Sequence, residues 1–155
     1  SHLNGVLLGT AAPLAGVAAA IQPGGAHIVN DEWSRECDRR AREALGDAAW
    51  EQYNSAFDEM FEPAEHHLQE ILTEPHWYLD MLAVDPEMQG RGLGGMLLRR
   101  LNAIADAGSH PVGLLTFQAD NLPFYARHGY EIIAESDSGG TGLRSWIFRR
   151  PAQTI

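Results

Sequence analysis

His76 to Arg100 reads HWYLDMLAVDPEMQGRGLGGMLLRR, and its hydrophobic period changes midway. Residues 76–84 are aromatic and aliphatic and lie between Pro75 and Pro86, which is the length and composition of a strand. Leu93, Met96, Leu97, Leu101 and Ile104 then recur at helical spacing, so a helix is expected from the glycines to Gly108. The glycines therefore fall where strand gives way to helix. The first turn of a helix carries unpaired amide N–H groups and the positive end of its dipole, and phosphate is the natural occupant of such a place. Gly90, Gly92, Gly94 and Gly95 let backbone donors approach an anion closely, and Arg91 adds a permanent charge. Gln89, Gly90, Arg91, Gly92, Leu93, Gly94 and Gly95 are read as a pyrophosphate cradle.

Spacing decides among three glycine motifs. Gly90, Gly92 and Gly95 satisfy G-x-G-x-x-G, but in a dinucleotide fold the glycines follow the strand directly, whereas Asp85 to Gln89 intervene here. A Walker A loop ends in G-K-[ST], which Gly94-Gly95-Met96 does not supply. The third pattern is Gln89-x-x-Gly92-x-Gly94 preceded by Leu82-Ala83-Val84-Asp85-Pro86. It resembles the acetyl-CoA signature of the GCN5-related N-acetyltransferases, the GNAT superfamily. Asn121-Leu122-Pro123-Phe124-Tyr125-Ala126-Arg127-His128-Gly129-Tyr130 resembles the second motif of that family, and from Pro75 to Arg150 the order is similar to its puromycin N-acetyltransferase-like bacterial members.

The resemblance implies an α/β fold with a mixed, centrally splayed sheet flanked by helices. It implies that the pantetheine arm of acetyl-CoA pairs with the main chain of Leu82, Ala83 and Val84, and that Asn121 and Phe124 contact the same co-substrate. An unpaired strand edge needs hydrogen-bond partners, so an amide-bearing arm suits it chemically. Tyr125 stands where the family motif places the acid that protonates the departing thiolate, and a phenol is neutral below pH ~10. For the base, strict alternation puts Tyr78, Asp80, Leu82 and Val84 on one strand face. A carboxylate among apolar neighbours is expected to titrate above its ordinary range, which makes Asp80 the candidate base, with a structural ion pair as the competing reading. Relatives often carry a glutamate where this chain has Leu115, so the base and any shared acceptor specificity do not carry over.

At 155 residues the chain is read as one domain, 1–155, large enough for a core without disulfides or structural metal. One cysteine, Cys37, cannot form an internal bridge and lies far in sequence from both motifs, and the expectation is a cytoplasmic protein using direct transfer. No apolar run reaches the ~20 residues of a membrane span, so no membrane partner is expected. The formal charge of −10 disfavours nucleic acid and favours cationic amines. His66, His67 and His76 lack a metal-binding pattern, and no metal is expected.

Gly5 to Thr10 and Ala15 to Gln22 read as an antiparallel pair. A complete domain of the family would place another strand and helices before them, so N-terminal elements that wall the amine site are expected to be missing, and an exposed strand edge there allows a homodimer. Asp31 is the expected N-cap of a helix to Leu45, and Asp47 of a second helix that Pro63 interrupts, followed by a segment from Ala64 to Leu72. Trp33, Tyr53, Phe57 and Phe61 are read as core in preference to an acceptor pocket. Val112 to Phe117 should lie parallel to the central strand, and Tyr130 to Glu135 and Leu143 to Arg149 should form a hairpin. The chemistry expected is acetyl transfer from acetyl-CoA to a primary amine of a small molecule; the competing class is a non-catalytic acyl-CoA-binding or regulatory module.

Overall fold

The computed structural model describes residues 5–10, 14–25, 32–138 and 143–153; of residues 5, 32–34, 37 and 138 only the backbone is described. Asp31 and Pro13 lie outside these residues, as do the side chains of Trp33 and Cys37. The described strands are β1 (Gly5–Gly9), β2 (Gly16–Ile21), β3 (Trp77–Val84), β4 (Val112–Thr116), β5 (Glu131–Ser138) and β6 (Leu143–Arg150). They form one sheet in the order β1-β2-β3-β4-β6-β5. β3 and β4 are parallel, and every other neighbouring pair is antiparallel. The expected mixed sheet is therefore present, and the hairpin of β5 and β6 enters it through β6.

Helix α3 (Leu93–Ala107) covers one face of the sheet and α4 (Leu122–Arg127) follows β4 at its end. Of the residues that periodicity put on one face, Leu97 and Leu101 are buried, Leu93 and Ile104 are half-buried and Met96 is exposed; the buried stripe is Leu97, Leu98, Leu101 and Ala105, packed with Leu79, Val112, Leu114 and Phe148. Each such leucine contributes roughly 1.5–3 kcal/mol through burial. Two buried polar pairs lie on this side. The Tyr130 hydroxyl donates to Asn102 Oδ1 at 2.7 Å, and the Arg150 guanidinium donates to both carboxylate oxygens of Asp106 at 2.8 and 2.9 Å.

The opposite face carries α2 (Asp47–Ile71), with α1 (Glu32–Leu45) packed beside it. α2 runs unbroken from Asp47 to Ile71, so Pro63 does not interrupt it. Proline removes one N–H from the helical ladder, and the burial of Ala64 and Leu68 just beyond it offsets that loss. Asp47 opens the helix without capping it; Gly46 is the N-cap, and Asp47 instead forms an ion pair with Arg42. Leu68 and Leu72 seat the C-terminal half on Tyr78, Leu115 and Ile147. This seat is close enough that a Cβ at Gly113 would lie 2.4 Å from Leu72 Cδ1.

The N-terminal half of α2 departs from expectation. Tyr53 is 53% exposed and Phe57 41%, so these aromatics are not core. They stack on one another along the helix surface.

Candidate active site

β3 is eight residues long, yet its register with β4 covers only Trp77↔Val112, Tyr78↔Gly113 and Leu79↔Leu114. Beyond Leu79 the two parallel strands part, and the β4-facing edge of β3 has no ladder partner as far as Val84. On its other side β3 stays paired with β2 to Val84. The expected central splay is thus a gap along the β4-facing edge of β3.

A bulge sits where the splay begins. The register passes from Ala20↔Leu79 to Ala19↔Met81, leaving Asp80 as the extra residue. Alternation is broken there: Leu79 and Leu82, three positions apart, both pack on the α3 side, whereas Tyr78 packs on the α2 side. Leu82 and Val84 therefore do not share a face with Tyr78, and the row of four that alternation put on one face is divided at Asp80. Asp80 is exposed, so the apolar enclosure expected around it is absent. Burial pushes the Tyr78 phenol above its ordinary range, and the nearby charges of Asp80 and Glu65 add to that shift.

The glycine loop forms as the sequence requires. Pro86–Met88 makes a single 3₁₀ turn, capped by the Asp85 carboxylate accepting from the Glu87 amide at 2.9 Å. Gly90 and Gly92 have φ of 74° and 79°, conformations that strain other residues. Gly92 then serves as the N-cap of α3, and no side chain caps it. The first helical bond is from the Met96 amide to the Gly92 carbonyl, so the amides of Leu93, Gly94 and Gly95 have no hydrogen bond to the described residues. Gln89 plays a bracing part, its Nε2 donating to the Val84 carbonyl at 3.1 Å and tying the loop to the strand end.

One cleft of about 600 Å³ joins these parts. Leu82, Val84, Gln89, Gly90, Gly92, Leu93, Gly94, Gly95, Asn121 and Phe124 line it, as the sequence reading grouped them. Ala83 and Arg91 do not. Ala83 is exposed, and Arg91 is exposed and donates to the Glu87 carbonyl at 3.4 Å. The cations in the cleft are Arg99 and Arg127, with His128 beside them, and sequence reasoning missed all three. The signal for Arg99 was its place four residues after Gly95, on the same helix face. His128 Nδ1 donates to the Phe124 carbonyl at 2.8 Å, which turns Nε2 toward Gly95. Asn121 Nδ2 reaches Thr116 Oγ1 at 3.4 Å.

Tyr125 stands behind this lining, 8% exposed, in ring contact with Phe124, Tyr130 and Phe148. Burial pushes its phenol above the ordinary range, so it is a neutral donor at physiological pH. Its hydroxyl has no hydrogen bond to the described residues. Among the histidines, His66 faces Glu70 at 3.2 Å and His76 Nδ1 donates to the Glu74 carbonyl at 2.7 Å. Among the described residues no cluster of three metal-ligating side chains occurs, and no helix is long and apolar enough to cross a membrane.

A splayed parallel pair with a glycine loop and a helix N-terminus at the gap defines the fold class of acyl-CoA N-acyltransferases. The acetyltransferase (GNAT) domain model matches residues 47–132, more than half of the chain, and the chain belongs to that family. A protein of Bacillus subtilis (strain 168) described as the uncharacterized N-acetyltransferase YjcF is 28% identical over 65 residues, 42% of this chain and 46% of that one. The chain thus spans about half the length of that curated relative. The ribosomal-protein-S18-alanine N-acetyltransferase of Escherichia coli superposes with a TM-score of 0.58 at 13% identity, covering 100% of this chain and 74% of that one. A candidate streptothricin acetyltransferase of Bacillus anthracis str. Ames, solved with acetyl coenzyme A, gives 0.59 at 10% identity over 99% of this chain and 65% of the other. At such identities the likeness is one of fold.

Proposed function

We propose that this chain is an N-acetyltransferase that moves the acetyl group of acetyl-CoA directly to a primary amine of a small molecule. The observation that carries the proposal is one cleft holding both the unpaired amides of Leu93 to Gly95 and the open edge of β3. The amides, with Arg99 and Arg127, suit a pyrophosphate; the strand edge suits an amide-bearing arm. The orphaned buried hydroxyl of Tyr125 suits a sulfur acceptor.

Bound acetyl-CoA supplies the acyl carbon and a thiolate leaving group, so a C–N bond forms to the amine as the C–S bond breaks. The residues of this chain then divide the work. β3 orients the arm with its main chain, and Gln89 holds the loop against the strand end. Tyr125 gives a proton to the departing sulfur. Asp80, exposed at the bulge, takes the proton that the amine loses, directly or through water. Cys37 has no part, since transfer is direct.

Calorimetry with acetyl-CoA, followed by thiol release from the same complex with a panel of amines, tests the reading. Micromolar binding with amine-dependent release supports it. Binding without release for any amine replaces it with a non-catalytic acyl-CoA-binding module, a reading in keeping with Leu115 at the family's acid position. Absence of binding removes the cradle.

A further inference from the structure

The two faces of the sheet differ in charge and in surface chemistry. On the α3 face the cleft carries Arg99 and Arg127. On the other, α2 has seven carboxylates from Asp47 to Glu70 and no lysine or arginine. Arg42 holds Asp47. Glu51, Asp58, Glu59 and Glu62 have no ion pair among the described residues, so their charge is available to solvent. Such a field attracts cations.

Beside these acids runs an aromatic ladder whose middle rings, Tyr53 and Phe57, are exposed and whose end rings, Trp50 and Phe61, are half-buried. Trp50 and Tyr53 have ring centroids 5.9 Å apart, Tyr53 and Phe57 6.1 Å, and Phe57 and Phe61 4.2 Å. The ladder does not end on the helix. Phe61 meets Phe117 edge-on at 5.0 Å, and Phe117 directly follows β4, at the end where β3 and β4 part. Residues 50, 53, 57 and 61 form one stripe, and Glu51, Asp58 and Glu62 each come one residue later and so form a second stripe alongside it. The ladder spans about 16 Å of helix at 1.5 Å per residue. Ala64, Leu68 and Leu72 are the buried residues that seat α2 on the sheet, while Tyr53 and Phe57 in the middle of the stripe are left exposed.

We propose that this ladder is the acceptor track of the enzyme, and that it selects an elongated cationic amine carrying a flat apolar group. The ring of the acceptor stacks on Tyr53, Phe57 and Phe61 while its remaining positive charge lies along Glu51, Asp58 and Glu62. Its reacting amine is delivered past Phe117 into the splay. This proposal rests on the acetyl-transfer reading, since it names the acceptor of that same site.

The test measures thiol release at saturating acetyl-CoA with 1,4-bis(aminomethyl)benzene, tryptamine, spermine and butylamine. 1,4-Bis(aminomethyl)benzene, which has both ring and second charge, is expected to show kcat/KM at least tenfold above spermine and butylamine. The double variant Tyr53→Ala/Phe57→Ala should raise KM for the two ring-bearing amines about tenfold, leave kcat within twofold and leave butylamine unchanged. Tyr53→Phe/Phe57→Tyr should restore the original KM, which separates ring contact from a folding defect. Asp58→Asn/Glu62→Gln should raise KM for 1,4-bis(aminomethyl)benzene and spermine but not for butylamine. An alanine variant with unaltered KM for every acceptor overturns the proposal. So does acetyl-CoA binding without turnover of either ring-bearing amine, or a sedimentation shift from dimer to monomer in that variant with KM unchanged, which would make the ladder an interface between copies. Calorimetry with acetyl-CoA alone keeps the two readings apart, because loss of binding there fells the acetyl-transfer reading itself.

Discussion

Replacing Tyr125 with phenylalanine should make the protein more stable and less active at once. The side chain is 8% exposed and packed among three rings, and its hydroxyl has no hydrogen bond to the described residues. A buried polar group left unsatisfied costs about 1–3 kcal/mol, so deleting the oxygen while keeping the ring recovers part of that cost. Taking about 1 kcal/mol as the gain, a domain of this size should melt about 2–4 °C higher. The same oxygen is the proposed acid for the thiolate, and removal of a general acid lowers turnover by about 10²–10⁴, or roughly 3–5 kcal/mol of barrier. Differential scanning calorimetry reads the first effect, and thiol release with acetyl-CoA titration reads the second. The Kd for acetyl-CoA should stay within about twofold, because ring packing is retained. Burial holds the wild-type phenol protonated to higher pH than a free tyrosine, so wild-type kcat should show no loss of this acid up to pH ~10. A lower melting temperature would mean that the hydroxyl has a structural partner, and a kcat within threefold of wild type would remove the acid role.

Two further substitutions test the frame that holds the site. Gly113→Ala puts a Cβ 2.4 Å from Leu72 Cδ1, and since Leu72 is itself buried, overpacking should cost about 1–3 kcal/mol in urea denaturation; no change in the midpoint would show that α2 is loosely seated. Asp106→Asn removes the carboxylate paired with the buried Arg150, and at pH 7 it should cost about 3 kcal/mol. The Arg150 guanidinium beside Asp106 holds its carboxyl below the ordinary 3.8, so the stability from this pair is present above that value and fades as pH falls through the lower native one. Wild type and variant should therefore converge in stability below about pH 4, and a gap that persists undiminished at pH 2 would assign the effect to packing instead.

Much of the site was legible because its parts are local. The strand, the 3₁₀ turn, the glycine loop and the first turns of α3 lie within one short stretch, and their hydrogen bonds close within a few residues of one another. Gly90 and Gly92 declare their backbone angles through their identity alone, since other residues pay for a positive φ. The two motifs are far apart in sequence, and it was the resemblance to the family's second motif that assigned Asn121 and Phe124 to the cradle. Arg99, Arg127 and His128 escaped notice because a basic residue on a helix surface has no local mark of what it faces.

What the sequence by itself determined was the succession of elements, the helix N-terminus offered to an anion, and the helical period of α3. These follow from periodicity and backbone hydrogen bonding, which each segment carries within itself. Tertiary structure alone decided where β3 slips by one residue, because a bulge exists only in the pairing of one strand with its neighbours, and that slip put Leu82 on the opposite face from Tyr78, which alternation had placed beside it. It also decided that the aromatic stripe of α2 stays in the open. A hydrophobic period shows that a helix has an apolar face, but only the packed molecule shows whether anything covers that face.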